Sequence, residues 1–367
     1  MLMVSQNTNY QTPLYQTHLD SGAKMMEFAN WQMPMRYQSE LEEWRLVREV
    51  CGIFDIAHMS IIDCHGADAE AFLQSVLCND VAKMAPFTAQ YSCFLNETGG
   101  VIDDVMVYKR STEAFIVVFN AAFLEHIPSF VALASGFDAK VLHRKDLAML
   151  ALQGPKARST AARLAYCDGM DIANMGRFSW QERHQVMVAR TGYTGEDGLE
   201  FIVPQDQLKA LWQAIIKEGV APIGYVARDI LRLEAGLNLS GADMHPGISP
   251  YSANIGFCVD MRDTLRDFIG KAALIAQKSQ QNYPRQVGLA LQEGPMLRAK
   301  MEVYQGEDQK VGYLTSAGYS PHLGCTIAFA QIASPDDSGP FWVKLRGKKW
   351  TLSQSKTRFL SFDKAVP

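Results

Sequence analysis

The hydrophobic pattern of the first part of the chain predicts a helix, a strand and a second helix, in that order. Ser39–Glu42 is a capping box, and the apolar residues after it recur at helical spacing until Gly52. The apolar run Ile53–Ile62 predicts one strand, and Asp68–Leu77 predicts the second helix.

The next patterns are shorter and predict an antiparallel sheet. Tyr91–Leu95 and Val101–Tyr108 are strand-like and are joined by the glycine-containing turn Asn96–Gly100. Ala114–Phe119 adds a further β-rich run. This part of the chain therefore predicts a hairpin with a neighbouring strand.

Two helices and a linker are predicted in the middle of the chain. Leu152–Pro155 predicts the start of a helix, with proline near the first turn. Val226–Ala235 predicts another helix, which Gly236 ends. The polar stretch Gln277–Pro284 predicts a linker.

From Gln286 onward the pattern changes class. Short apolar runs alternate with polar turns, which predicts a small all-β barrel or sandwich. These turns are Gln305–Asp308, Ala317–Gly318, Ser334–Pro340 and Arg346–Lys348. A chain of 367 residues exceeds what one hydrophobic core usually serves, about 250–300 residues, so two or three domains are expected. The expected fold class is α+β.

Composition narrows the class of protein. With 48% hydrophobic and 20% charged residues and a net charge of −4, the chain is typical of globular proteins without a general attraction to nucleic acid or anionic membranes. Its seven cysteines are odd in number and form no C-x-x-C motif, which disfavours a disulfide framework or a zinc knuckle. No signal segment or membrane-length apolar run is present, so we expect a cytoplasmic protein or a mature matrix form.

A glycine-spaced acidic loop, Arg190–Glu200, is the most informative segment. Strand patterns at Gln185–Ala189 and Leu199–Val203 flank it. The spacing of its glycines matches neither of the phosphate-binding motifs G-x-x-x-x-G-K-[ST] and G-x-G-x-x-G. Its three carboxylates would also repel an anion. Since carboxylates favour a planar pair of N–H donors, the loop predicts a nitrogen-rich ligand.

The adjacent acids Asp103 and Asp104 form a second candidate site, inside the apolar strand Val101–Val107. Successive side chains of a strand point to opposite faces, so these two carboxylates cannot act as a dyad. One of them can line a cavity while the other has a structural role. Spacing alone does not choose between them, and a purely structural role for both stays open.

Together these motifs resemble the T-protein of the glycine cleavage system, an aminomethyltransferase family. The likeness runs from about Thr12 to about Leu352. The segments that carry it are Phe54–Met59, Gly99–Asp104, Leu152–Lys156, Arg190–Glu200, Ala227–Gly236, Phe268–Lys271 and Leu314–Pro321.

The resemblance implies a three-domain cloverleaf around a central cavity for tetrahydrofolate. Under this resemblance, residues 1–285 form two domains: a discontinuous one of about 1–55 with 145–285, and a second one of about 56–144. Residues 286–367 form a C-terminal β-barrel domain. The implied reaction takes the aminomethyl group from the lipoyl arm of H-protein, transfers its one-carbon unit to tetrahydrofolate and releases ammonia. No metal is implied, and we expect a monomer or weak dimer.

The resemblance also assigns folate-binding residues. Glu200 corresponds to the glutamate that accepts the paired N–H donors of the pterin ring. Tyr193, Tyr91, Met59 and Arg228 match further folate contacts. Without the resemblance, each tyrosine and the methionine would be expected in a core.

Asp104 is the acid that the resemblance assigns to catalysis. A carboxylate there would stabilise an iminium-like one-carbon electrophile and orient the reacting folate nitrogen. No covalent nucleophile is required, so Cys93 is expected to be packed or cavity-lining. His58 is expected to be structural rather than a base.

The other charged residues of these motifs have simpler expected roles. An exposed salt bridge is the alternative for Arg228. Arg232 is expected to serve an internal ion pair. Glu196 and Asp197 are expected to be turn and solvent residues.

Some positions depart from the family pattern. His245 and Ser252 stand where acids are usual, Asn30 stands at a usual glycine, and the tail Lys356–Ser361 lacks the usual residues that close the folate site. Two alternatives therefore remain: a related folate-dependent demethylase, and a folate- or H-protein-binding module without catalysis. The presence of both Asp104 and the folate-binding residues disfavours the second.

Overall fold

The computed structural model of the chain describes residues 9–280, 283–333 and 340–360. These residues divide into two compact units. Unit 1 holds the residues up to Phe72 together with Val81–Gln90 and Val105–Arg228, and unit 2 holds Leu73–Asp80, Tyr91–Asp104 and the residues from Asp229 onward. In the described part of the chain, no helix is long and apolar enough to cross a membrane.

The described residues form short helices and a larger number of strands. The helices are α1 (Tyr15–Asp20), α2 (Glu40–Glu49), α3 (Ala69–Val76), α4 (Ile127–Ala132), α5 (Ala157–Ala161), α6 (Leu208–Lys217), α7 (Tyr225–Ala235) and α8 (Lys271–Gln280). The first strands are β1 (Tyr10–Gln11), β2 (Lys24–Phe28), β3 (Trp31–Arg36), β4 (Gly52–Asp55), β5 (Ser60–His65), β6 (Thr88–Leu95), β7 (Val101–Ser111), β8 (Ala114–Phe119) and β9 (Lys140–His143). The strands that follow are β10 (Leu147–Gln153), β11 (Trp180–Arg183), β12 (Val186–Ala189), β13 (Gly198–Pro204), β14 (Ala221–Pro222), β15 (Arg285–Leu291), β16 (Glu302–Gln305), β17 (Gln309–Ser320), β18 (Cys325–Ile332), β19 (Phe341–Leu345) and β20 (Lys348–Ser355).

The predicted first helix is confirmed as α2, and Ser39 caps its N-terminus as predicted. The Ser39 hydroxyl accepts a hydrogen bond from the Glu42 backbone N–H at 3.2 Å. The helices α3 and α7 and the β6–β7 hairpin with β8 also lie where the hydrophobic pattern predicts them.

The single strand predicted over Ile53–Ile62 is wrong. The chain turns between β4 and β5, which belong to different sheets. The Asp55 carboxylate accepts a hydrogen bond from the Ala57 N–H at 2.9 Å, and the Met59 N–H donates to the Ile56 carbonyl at 3.1 Å. A side-chain bond of this kind stabilises a turn that an apolar pattern alone does not reveal.

Two further predictions need correction. Leu152 and Gln153 end strand β10 instead of starting a helix, and the short helix α5 begins only after Pro155. The predicted linker Gln277–Pro284 is helical up to Gln280, because glutamine and lysine are good helix formers even without an apolar stripe. Gln281 and Asn282 lie outside the described residues.

Unit 1 contains the six-stranded sheet that carries the acidic loop. Its strand order is β11-β12-β13-β10-β4-β14, and all neighbours except β4 and β14 are antiparallel. Leu150, Val188, Phe201 and Leu211 are fully buried in its core. The acidic loop connects β12 to β13, and Ala189 pairs with Glu200 in the register of these strands.

Unit 2 contains a closed barrel of strand order β15-β18-β17-β16-β19-β20. Leu289, Val303, Leu314 and Val343 are fully buried in its core. This barrel and the mixed helices and sheets before it confirm the predicted α+β class with a C-terminal β-barrel. The predicted turn Ala317–Gly318 is wrong, because both residues lie inside β17 and pair with Ala328 and Ile327 of β18. The predicted turn residues Ser334–Gly339 lie outside the described residues.

Candidate functional site

The glycines of the acidic loop let it pass close to one buried side chain. Gln153 donates a hydrogen bond to the Thr191 carbonyl at 3.1 Å and accepts one from the Thr194 hydroxyl at 3.0 Å. A Cβ atom at Gly192 would lie 1.9 Å from the Gln153 side chain, and one at Gly198 would lie 2.4 Å from it. The glycine spacing therefore makes room for Gln153.

Glu196 and Asp197 are held by arginines, so the expectation that they are solvent residues is wrong. Asp197 contacts Arg190 at 2.8 Å and Arg158 at 3.3 Å, and Glu196 contacts Arg48 at 3.1 Å. Burial alone would raise the pKa of Asp197, but the hydrogen bonds and charges of the two arginines lower it overall. Both carboxylates thus support the loop itself.

Glu200 lies in different surroundings, held by hydroxyl groups. The Thr191 hydroxyl donates to its Oε2 atom at 2.6 Å, and the Tyr108 hydroxyl approaches the same oxygen at 3.4 Å. No hydrogen bond from the described residues reaches Oε1. Burial raises the pKa of Glu200, although the Thr191 bond and the charge of Arg228 partly oppose this rise.

Arg228 lies near this carboxylate and stacks on Tyr193. The Arg228 guanidinium stacks over the Tyr193 ring at 4.7 Å from the ring centre. Within the described residues Arg228 forms no salt bridge, so the exposed ion pair considered as its alternative role is absent there. Its positive charge is available to the group around Glu200.

His58 and Met59 lie in the turn between β4 and β5, not on a strand. His58 is buried, and its ring meets Phe28 edge-on at 6.0 Å. Burial and the charge of Arg228 lower the pKa of His58 to about 3, so the ring is neutral at physiological pH. Met59 is half-buried, and no hydrogen bond within the described residues joins it to Glu200, Tyr193 or Arg228.

The two adjacent acids of β7 differ as strand alternation predicts. Asp103 is buried and accepts a hydrogen bond from the Ser240 hydroxyl at 2.8 Å. Asp104 is half-buried and accepts one from the Tyr91 hydroxyl at 3.0 Å. The structure therefore joins Asp104 with Tyr91, another predicted site residue of unit 2.

The Tyr91 ring has its own surroundings in unit 2. It stacks against Phe257 at 6.0 Å between ring centres, and its hydroxyl lies 3.9 Å from the Met244 sulfur. Burial, followed by the negative charge of Asp104, raises the pKa of Tyr91, so its hydroxyl stays protonated and can donate.

Arg232 forms the internal ion pair expected for it. It contacts Asp243 at 2.7 Å and donates to the Ser316 hydroxyl at 2.8 Å, and all three side chains are buried. This network joins the part of α7 that lies in unit 2, from Asp229 onward, to the barrel strand β17. Arg232 is therefore structural, in contrast to Arg228 one turn earlier.

The positions that depart from the family pattern have local roles. Asn30 has φ +65°, a left-handed conformation that asparagine tolerates where glycine is usual. His245 accepts a hydrogen bond from the Gly247 N–H at 3.1 Å, and Ser252 accepts one from Gln277 at 3.1 Å.

The tail crosses the end of α7. The N–H groups of Phe359 and Leu360 donate to the Glu234 carbonyl at 3.1 and 3.0 Å. Gly236, with φ +81°, leaves room for this crossing, since a Cβ atom there would lie 2.8 Å from the tail backbone. Ser361 lies outside the described residues.

Sequence reasoning missed Tyr108, Thr191 and Phe257. Tyr108 and Thr191 supply the hydroxyl groups around Glu200, and Phe257 covers the Tyr91 ring. Thr191 could have been suspected because it lies in the acidic loop itself. Tyr108 and Phe257 carry no such signal, since they are 92 and 166 residues away from the side chains they contact.

Comparisons with known proteins decide the family. The model of the GCVT N-terminal domain matches residues 14–263, and that of the glycine cleavage T-protein C-terminal barrel domain matches residues 285–360. The chain belongs to the glycine cleavage T-protein family.

Relatives of this T-protein family member share nearly its whole length. An aminomethyltransferase of Francisella tularensis subsp. tularensis is 41% identical over 97% of this chain and 99% of its own, and one of Francisella philomiragia is 40% identical over 95% and 98%. The crystal structure of glycine cleavage system aminomethyltransferase T from Bartonella henselae superposes with a TM-score of 0.90 at 31% identity, over 96% of this chain and 98% of that one. The predicted enzyme class, an aminomethyltransferase of the glycine cleavage system, is confirmed.

Proposed function

We propose that this T-protein family member binds tetrahydrofolate through Glu200. The observation that carries the proposal is that both described hydrogen bonds to this carboxylate end on Oε2, while the other acids of the loop are held by arginines. Oε1 accepts no hydrogen bond from the described residues, so both of its lone pairs can accept the paired N–H donors of a pterin ring. Because burial raises the pKa of Glu200, such charge-assisted donors would replace lost hydration.

Arg228 and Tyr193 complete the proposed pterin contacts. The stacked guanidinium and phenol present a flat cationic and aromatic surface. Met59 and Tyr91 are proposed as further folate contacts. Of these, Tyr91 also holds Asp104 through its hydroxyl.

Asp104 is proposed as the residue that acts on the reacting atoms. The aminomethyl carbon leaves the lipoyl sulfur and its own nitrogen and forms two bonds to folate nitrogens. The products are dihydrolipoyl H-protein, ammonia and 5,10-methylenetetrahydrofolate. A carboxylate oriented by Tyr91 would stabilise the iminium-like intermediate and position the attacking nitrogen.

Lipoylated H-protein is the proposed partner, because the one-carbon donor of this reaction is carried on its lipoyl arm. A cytoplasmic location, a monomeric or weakly dimeric state, and the division of residues 1–285 into two domains remain predictions.

The proposal is tested with the purified chain, aminomethyl-loaded H-protein and tetrahydrofolate. We expect ammonia, free lipoyl thiol and 5,10-methylenetetrahydrofolate in equal amounts. H-protein without a lipoyl group is the control and should give none of them. Ammonia release that tetrahydrofolate does not accelerate would contradict the proposed acceptor.

A further inference from the structure

Three buried cysteines that are distant in sequence meet in unit 2. Cys78 follows α3, Cys93 lies on β6, and Cys258 ends the short 3₁₀ turn Gly256–Cys258. Their sulfur atoms lie 3.8 Å (Cys78 to Cys258) and 3.7 Å (Cys93 to Cys258) apart, and all three lie within 4.8 Å of one another. None of the three is exposed to solvent.

This triangle has the size of a thiolate metal site. The three sulfurs form a triangle with two edges of 3.7 and 3.8 Å and a third of at most 4.8 Å. The centre of this triangle, which is equally far from all three sulfurs, lies about 2.2–2.4 Å from each of them. Metal–thiolate bonds to zinc are about 2.3 Å long. An ion could therefore bind all three sulfurs without movement of the backbone.

A buried positive charge lies beside the cluster. Arg266 is 8% exposed and donates to the carbonyl of Leu77, the residue before Cys78, at 2.8 Å. Its Nε and Nη1 atoms have no hydrogen-bond partner among the described residues. Burial lowers the pKa of Arg266, and the negative charge of Asp80 partly opposes this shift. The guanidinium would therefore favour anionic sulfur at the cluster.

The surroundings favour three ligands over four. Leu95, Val101, Ile255 and Phe268 pack in the same cluster of buried side chains. In the described part of the chain, no His, Asp or Glu ligand atom joins the three sulfurs within 4.8 Å. Zinc requires a fourth ligand, whereas Cu(I) is a soft ion that thiolates select and that accepts three.

We propose that Cys78, Cys93 and Cys258 bind one Cu(I) ion as thiolates, with release of the thiol protons. The buried Cys258 directly follows Phe257, which is 77% exposed, so the cluster lies one residue in sequence from a surface side chain. Tyr91, two residues before Cys93, stacks against the same Phe257 ring. The ion would thus lie next to the Tyr91 side chain that holds Asp104.

The test uses the full-length chain, reduced and kept without oxygen, with all seven thiols counted before each titration. Cu(I) is supplied on a coloured chelator, and we expect the chain to withdraw one equivalent. Cys258→Ala and, separately, Cys93→Ala should each weaken copper binding at least roughly tenfold. Cys167→Ala removes a buried cysteine outside the cluster and should keep the site. Circular dichroism checks that each variant is folded.

Three results would overturn the proposal. Wild-type chain that withdraws no copper would make the cysteines apolar core residues. Copper binding unchanged in folded Cys258→Ala or Cys93→Ala would place the ion elsewhere. Stoichiometric binding of Zn(II) but not Cu(I) would contradict the three-coordinate site. X-ray absorption with three sulfur neighbours on copper would support it directly.

Discussion

The acidic loop of unit 1 and the part of the β6–β7 hairpin that lies in unit 2, Tyr91–Asp104, both contain carboxylates close together in sequence. In both segments these carboxylates have unequal hydrogen-bond partners. In the loop, two arginines hold Asp197, whereas hydroxyl groups on one oxygen hold Glu200. In the hairpin, Ser240 holds the buried Asp103, whereas Tyr91 holds the half-buried Asp104.

The comparison separates carboxylates that arginines hold from carboxylates that hydroxyl groups hold. An arginine fork occupies both oxygens of a carboxylate, while a single hydroxyl leaves acceptor capacity for a ligand. Glu200 has the raised pKa that burial causes, and we assign it to binding. Asp104, beside a protonated tyrosine, is assigned to chemistry.

The largest expected effect is that of Asp104→Asn. Removing the negative charge should lower methylenetetrahydrofolate formation in a single turnover by about 10²- to 10⁴-fold. Tetrahydrofolate affinity, measured by calorimetry, should stay within about threefold of wild type, because a neutral amide can still accept the Tyr91 bond. Asp103→Asn is the matched control and should retain turnover; equal losses in both variants would remove the distinction between the two acids.

Glu200→Gln should act on binding instead. Loss of a charge-assisted hydrogen bond costs about 1.5–3 kcal/mol, or roughly 10- to 150-fold in the Kd for tetrahydrofolate. Glu196→Gln, in the same loop but paired with Arg48, should leave the Kd unchanged. Unaltered affinity in Glu200→Gln would defeat the pterin assignment.

The pH dependence sharpens the assignment of Glu200. Only the ionised carboxylate accepts both pterin donors, so affinity should fall as the pH drops through the raised pKa of Glu200. This step should be absent in Glu200→Gln. The free energy of unfolding depends on pH in the opposite direction. Below the pKa of Glu200 in the unfolded chain, the carboxyl group is protonated in both states and its burial costs no charge desolvation. As the pH rises from there to the raised pKa of the folded chain, this cost develops and the folded state becomes less stable. Glu200→Gln should therefore be more stable than wild type at neutral pH and similar in acid.

Asp197→Asn should reduce stability and leave folate chemistry nearly unchanged. Loss of a partly buried ion pair with two arginines should cost about 1–2 kcal/mol at neutral pH, measured as a shift in urea unfolding. The pKa of Asp197 is lower in the folded chain than in the unfolded chain. Its ion pairs therefore stabilise the fold above the pKa of the unfolded chain, and this stabilisation is lost as the pH falls through the pKa of the folded chain. Glu42→Gln, in an exposed pair on α2, should show a much smaller change.

Tyr193→Leu should have the smallest effect on affinity. Removing the ring over which Arg228 stacks should cost about 0.5–1 kcal/mol, roughly two- to fivefold in the Kd for tetrahydrofolate. Phe87→Leu changes an exposed aromatic residue elsewhere in unit 1 and serves as the control. A loss as large as that of Glu200→Gln would mean that Tyr193, not the carboxylate, dominates recognition.

Local signals in the sequence explain which parts of the fold could be predicted. The capping box at Ser39 and the alternating strands of the barrel are set by neighbours in sequence. The turn after Asp55 was missed because a side-chain hydrogen bond makes it inside an apolar run. The helical residues up to Gln280 were missed because they show no apolar stripe.

The site was predictable only in part, for a different reason. Strand alternation separated Asp103 from Asp104, and the family resemblance selected Glu200. The arginines that hold the other loop acids could not be found, since Arg48 lies 148 residues from Glu196 and Arg158 lies 39 from Asp197. The cysteine cluster was hidden likewise, because 165 residues separate Cys93 from Cys258.

Steady-state kinetics most directly test whether Glu200 serves binding and Asp104 serves chemistry. The variants Asp104→Asn and Glu200→Gln are compared with wild type at varied tetrahydrofolate concentration and saturating aminomethyl-loaded H-protein. We predict that Asp104→Asn lowers kcat with little change in KM, and that Glu200→Gln raises KM with much of kcat retained. The reverse pattern, or the same change in both variants, would contradict the account.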